Sequence, residues 1–109
     1  MSRYVYADPW ALETKPRVFR QLIRTEWHYV VDFSGSATAR GTSVSSVSWN
    51  SRGTREATIT NETDASGVAE ADIASDFGGY ATIRVEATYA DSNTEAVILD
   101  IFFEDHEYR

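Results

Sequence analysis

Strict two-residue alternation dominates the last third of the chain. From Tyr80 to Tyr89, Ala81, Ile83, Val85, Ala87 and Tyr89 share one parity, while Thr82, Arg84, Glu86 and Thr88 share the other. That is the pattern of a strand with one face in a core and the other in water. The polar turn Ala90-Asp91-Ser92-Asn93 leads into Thr94–Phe103, where Val97, Leu99, Ile101 and Phe103 oppose Ile98, Asp100 and Phe102. The two segments predict a long hairpin. Upstream, Glu26–Phe33 is aromatic and β-branched, and the small polar stretch Ser34–Ser43 breaks it. Val44–Asn50 then puts Val47 and Trp49 on one face, with Trp49 expected in the core. Ser51-Arg52-Gly53 reads as a turn, Arg55–Asn61 resumes the alternation, and Glu62–Ser66 reads as a polar break. Gly67–Ala74 sets Val68, Glu70 and Asp72 against Ala69, Ala71 and Ile73, a weaker strand pattern. Strands at this spacing with no amphipathic helix among them predict an all-β sandwich of about seven strands with Greek-key connections.

Residues 1–24 follow a different rhythm. They hold both prolines, Pro9 and Pro16, which interrupt any central strand. In Arg17–Arg24, Val18, Phe19, Leu22 and Ile23 fit a helical face as well as a strand. Tyr4, Tyr6, Trp10 and Leu12 have no place in a sandwich already supplied with core residues. The expected organisation is an extended N-terminal arm, residues 1–24, that seeks a surface to dock on, followed by one β-sandwich domain, residues 25–109.

Charge sharpens that division. The arm carries Arg3, Lys15, Arg17, Arg20 and Arg24 against Asp8 and Glu13, whereas the rest has five arginines against fifteen carboxylates. A cationic arm thus precedes an acidic body, and the overall net charge of −7 disfavours nucleic acid and anionic membranes as partners. With 109 residues the chain suits a single domain, and 42% hydrophobic residues suit a folded one. It has no cysteine, so disulfides, thiolate catalysis and sulfur-ligated zinc are excluded. No apolar run approaches the roughly 18 residues of a membrane span, and the first residues form no signal-peptide core, so synthesis in a cytoplasm is expected.

Candidate chemistry is sparse. His28 sits between Trp27 and Tyr29, and His106 lies in an acidic tail; neither comes with a convergent ligand set, so both are read as incidental and no metal is expected. Asp91-Ser92-Asn93 lacks the glycine and distal glutamate of a calcium loop and reads as a turn. The eleven serines sit in turns or on one strand face without a Gly-x-Ser-x-Gly elbow. No catalytic residue, cofactor or enzymatic activity is expected. Contact surface is expected instead: the arm residues Tyr4, Tyr6, Trp10, Arg17, Phe19, Arg20 and Arg24 have the side chains that dominate binding hot spots. Tyr80 and Phe102 add a surface contact on the hairpin, unless a second layer covers that face.

Residues 44–103 also carry a resemblance. Val44–Ser51 with its tryptophan, Glu56–Thr60, Gly67-Val68-Ala69 and Gly79-Tyr80-Ala81-Thr82-Ile83-Arg84-Val85 follow one another as in the bacterial immunoglobulin-like domains of group 2 type. The resemblance implies an immunoglobulin-like sandwich in which Trp49 and Ile83 are core. It also implies a setting, because such domains are common among virion proteins of tailed bacteriophages. The arginine-rich lead-in and acidic tail depart from the family pattern. The expected function is accordingly a non-enzymatic structural protein of a tailed-phage virion, a capsid decoration or head-fibre protein anchored through its arm, with a tail accessory as the variant. Expected partners are a capsid or tail protein, further copies of the chain, or both. The alternative expectation is a module binding host-surface carbohydrate through Tyr80, Tyr89 or loop aromatics.

Overall fold

A computed structural model of the chain describes residues 2–7, 16–53 and 56–105. Trp10 and His106 lie outside the described residues. Eight strands and one short helix follow one another: β1 (Ser2–Tyr6), β2 (Arg17–Leu22), β3 (Trp27–Asp32), α1 (Ser34–Arg40), β4 (Val44–Gly53), β5 (Thr58–Ala65), β6 (Val68–Ala74), β7 (Gly79–Tyr89) and β8 (Thr94–Glu104). They form two four-stranded sheets of order β1-β3-β6-β5 and β2-β8-β7-β4. The β5–β6 and β7–β8 hairpins stay within a sheet; the other connections between successive strands cross from one sheet to the other. An all-β sandwich is what the alternation demands, since each sheet has one apolar face to hide.

The core lies between the sheets and follows the parity read in the sequence. Ala81, Ile83, Val85, Ala87 and Tyr89 of β7 are buried, as are Leu99, Ile101 and Phe103 of β8 and Ala69, Ala71 and Ile73 of β6. Trp49 is buried with them, while Val47 is half-buried at the margin. Tyr29, Val31 and Phe33 supply the large side chains from β3 and its end.

Several boundaries differ from expectation. Ser51, Arg52 and Gly53 are not a turn, because they pair with Ile83, Thr82 and Ala81 and so extend β4. The polar Glu62–Ala65 continues β5 beyond a bulge at Asn61 and Glu62, where Asn61 has φ +55. The side chains of this stretch are all exposed, so polarity does not stop the strand. The break after β3 holds α1. Asp32 starts it by accepting hydrogen bonds from the Ser34 N–H (2.8 Å) and hydroxyl (2.5 Å), and Gly41 at φ +70 ends it.

The largest difference concerns the expected arm. Residues 2–6 are a strand of the sandwich paired in parallel with β3, and residues 17–22 are a strand paired in parallel with β8. Val5, Gln21 and Ile23 are buried, so the described parts of residues 1–24 are built into the two sheets instead of extending from them. Pro16 stands immediately before β2, where the missing N–H costs no ladder bond.

Candidate protein-interaction surface

The outward face of the β2–β8–β7–β4 sheet carries a row of large side chains. Arg20 on β2 and Tyr80 on β7 are both in register with Phe102 on the intervening β8. The Tyr80 and Phe102 rings lie 4.8 Å apart between centroids, the Arg20 guanidinium is 5.5 Å from the Phe102 ring, and Arg20 Nη1 donates to Glu104 Oε1 at 3.2 Å. Val18 and Leu22 flank Arg20 on the same side of β2, and Val18 is 70% exposed. Tyr80 is 57% exposed and Phe77, in the turn before β7, 61%. Among the described residues no second layer covers Tyr80: the opposite parity of β7 and β8 already fills the core. Further along the face, Thr82 donates to Asp100 at 2.8 Å and Arg84 pairs with Glu86 at 2.8 Å.

Behind this row, Arg3 joins the sheets. It belongs to β1, yet Nη2 donates to the Arg20 carbonyl of β2 at 2.6 Å and Nη1 donates to the Tyr29 hydroxyl at 2.7 Å. Its guanidinium lies over the Trp27 ring at 4.0 Å and near the rings of Phe19 and Tyr29. Tyr29 donates in turn to Gln21 Oε1 (2.8 Å), and the buried Gln21 amide donates to the carbonyls of Ile73 (2.7 Å) and Thr25 (2.9 Å). Burial raises the Tyr29 pKa, with Arg3 opposing the shift.

The outward face of the other sheet is acidic. There His28 of β3 sits between two carboxylates of β6, its Nε2 2.7 Å from Glu70 Oε1 and its Nδ1 2.7 Å from Asp72 Oδ1. Only imidazolium donates from both nitrogens, so this geometry favours the charged ring. The hydrogen bond to Glu70, then that to Asp72, raises the His28 pKa above its ordinary value. Asn61 of β5 donates to Asp72 Oδ2 at 2.8 Å, and that bond, followed by the one from His28, lowers the Asp72 pKa. Tyr4 and Tyr6 border this face, 63% and 62% exposed.

At the α1 end, Glu95 Oε1 accepts from the hydroxyls of Ser36 (2.5 Å) and Tyr89 (2.6 Å), and Arg40 Nη2 is 3.8 Å from Glu95 Oε2. Tyr89 is 1% exposed, so it is a core residue with its hydroxyl tied off and not the sugar platform considered from sequence. Burial and the Glu95 carboxylate raise its pKa. A cleft of about 180 Å³ between β4 and β5 is lined by Val47, Trp49, Glu62, Thr63 and Asp64. Asp64 there accepts from the Val47 N–H and covers part of the β4 edge. Among the described residues, no three of His, Cys, Asp or Glu are placed to hold a metal ion, and no helix is long and apolar enough to cross a membrane.

The residues singled out from sequence therefore separate. Arg20 joins Tyr80 and Phe102 in one row; Tyr4 and Tyr6 lie on the other sheet; Phe19 packs edge-on against Tyr29 at 5.4 Å. Arg17 donates to the Tyr6 carbonyl at 3.4 Å, and Arg24, at φ +58, occupies the turn after β2. Leu22, Val18 and Glu104 complete the row and were missed, because their proximity depends on the β2–β8 register. The His28 cluster was missed too; its trace in the sequence is Glu70 and Asp72 two residues apart, on one face of a strand.

No family model matches the sequence, and no curated protein does. Solved structures match the fold. The PKD domain from the KIAA 1837 protein superposes with a TM-score of 0.56 at 10% identity, over 89% of this chain and 88% of that one. The cysteine protease inhibitor EhICP2 from Entamoeba histolytica gives 0.55 at 8% identity, over 94% and 95%. PbICP-C, solved in complex with falcipain-2, gives 0.53 at 8% identity, over 94% and 99%. Identities this low establish the fold alone: the chain is an immunoglobulin-like β-sandwich.

Proposed function

We propose that the protein is a non-enzymatic structural component of a tailed-phage virion, an immunoglobulin-like module displayed on the particle and held there by contact with a neighbouring protein. The observation that carries the docking part is the Arg20–Phe102–Tyr80 row, open to solvent on a sheet whose other face is fully used by the core. Aromatic and arginine side chains grouped on one outward sheet face, here near one end of β7 and β8, are the composition of an interface hot spot. The virion part is supported by the resemblance of residues 44–103 to bacterial immunoglobulin-like domains of group 2 type. Docking is assigned to this outer face and not to an N-terminal arm, because β1 and β2 are strands of the sandwich.

The test is mass spectrometry of purified particles of the phage that encodes the chain. Expected are peptides of this protein in stoichiometric amount, absent when Tyr80→Asp is introduced. Complete particles that never contain the protein would remove the reading.

A second reading, a carbohydrate- or host-surface-binding module, is favoured by the exposed Tyr80 ring tilted against Phe102, a surface on which a sugar ring can stack. It expects a glycan-array signal from the wild-type chain that Tyr80→Ala abolishes.

A further inference from the structure

We propose that the outward face of the β2–β8–β7–β4 sheet binds a second copy of itself, forming a two-fold dimer. This rests on reading that face as a docking surface and names its occupant. Charge is the first argument. The chain as a whole has a net charge of −7, so two copies repel unless they meet through surfaces that do not add like charges. On this face Arg20, Arg52 and Arg84 stand against Glu86, Asp100 and Glu104, three cations to three anions. The opposite sheet offers Asp32, Glu70 and Asp72 against His28 alone, so two such faces would oppose acid to acid. A face balanced within itself gains little from an external partner of strong charge of either sign. Paired with its own copy under a two-fold axis, it can set arginines against carboxylates in both directions.

Area is the second argument. The four strands have 6, 11, 11 and 10 residues. At about 3.3 Å rise and about 4.8 Å spacing they present roughly 600 Å² per copy. Two copies reach the roughly 1,200 Å² at which specific interfaces begin. The apolar content on this face is Phe102 beside Tyr80, Leu22 one same-side position along β2 from Arg20, and Ile98 two same-side positions along β8 from Phe102. An interface at the lower end of the specific range is expected to be reversible, so association is measured over a wide range of concentration.

Sedimentation velocity on the full chain from ~1 to ~100 µM tests this. Expected is a monomer–dimer equilibrium within that range. Tyr80→Asp and, separately, Arg84→Glu are expected to raise the dissociation constant about 30-fold or more. Both positions are exposed on the sheet surface, so the variants are expected to keep the wild-type circular dichroism spectrum. Tyr4→Asp on the other face is expected to leave the dimer intact. A wild-type monomer at every concentration, or a dimer indifferent to both face variants, overturns the proposal. A monomer whose incorporation into particles is still abolished by Tyr80→Asp would overturn self-pairing while the docking reading stands. A dimer through this face in a protein absent from particles would uphold self-pairing while the virion reading falls.

Discussion

The guanidinium of Arg3 rests 4.0 Å above the Trp27 ring, with its two terminal nitrogens hydrogen-bonded to Tyr29 on its own sheet and to the Arg20 carbonyl on the other. One side chain thereby fixes the separation of the two strands that come first in the chain. Arg3→Ala is expected to cost about 1–3 kcal/mol in urea unfolding, because it removes a charged hydrogen-bond donor and the cation stacked on Trp27 in one step. Arg3→Lys should recover only part of this, since an ammonium cannot span both acceptors in the planar geometry of a guanidinium. A destabilisation below about 0.5 kcal/mol for Arg3→Ala would show that β1 is held by its ladder with β3 alone.

His28 gives the fold a pH dependence of definite sign. Its pKa is raised in the folded protein, so the stabilisation from Glu70 and Asp72 is fully present below the ordinary value of 6.5 and lost as pH rises through the folded-state value. Asp72 is shifted down, so its contribution holds above the ordinary 3.8 and disappears as pH falls through its own folded value. Stability owed to the cluster is therefore greatest in the window between the two. The groups are partly open to solvent, and the effect is expected to be about 1 kcal/mol or less. Melting curves of wild type and His28→Gln should converge at alkaline pH and separate near pH 5.5; equal separation at both would refute the ionic account.

Glu95 is the acceptor for two hydroxyls that have left water, those of Ser36 and Tyr89. Glu95→Ala leaves both without this partner and is expected to cost about 1–3 kcal/mol. Glu95→Gln retains a carbonyl acceptor and should cost less. Equal destabilisation in the two variants, read from chemical denaturation, would assign the effect to charge rather than to hydrogen bonding.

The β5–β6 hairpin turns on Ser66 and Gly67, at φ +55 and +82. A Cβ on Gly67 would also meet the Ser34 Cα at 3.3 Å. Gly67→Ala is expected to destabilise by about 1–2 kcal/mol, while Ser66→Asn, giving the preferred residue for a primed turn, should raise the melting temperature slightly. A neutral Gly67→Ala would mean that the turn relaxes into another conformation.

What could be read from sequence depended on how many faces each strand buries. β7 and β8 each bury all but one position of one parity, so their alternation and pairing were legible, as was Trp49 in the core. β1 and β2 were not. Within them Val5 and Gln21 are the buried positions, and Gln21 is a polar side chain whose place depends on Tyr29, Ile73 and Thr25. Nothing local marks such a glutamine as interior. The surface row was half legible: parity alone put Tyr80 and Phe102 outward, but Arg20 reaches Phe102 through a parallel pairing across 82 residues of sequence, which no local pattern encodes.

That pairing also governs the order of events at the ribosome. β2 is made before β8, and its partner residues, Leu99 to Glu104, each follow 82 positions later. Until they emerge, β2 has no ladder, and the sheet that carries the Arg20–Phe102–Tyr80 row does not exist. Pairings this distant in sequence make folding slow, and an unpaired strand is a site for wrong pairing in the meantime. The surface proposed for docking is thus assembled only once β8 has emerged, so nascent copies without β8 lack the very face through which folded ones would meet.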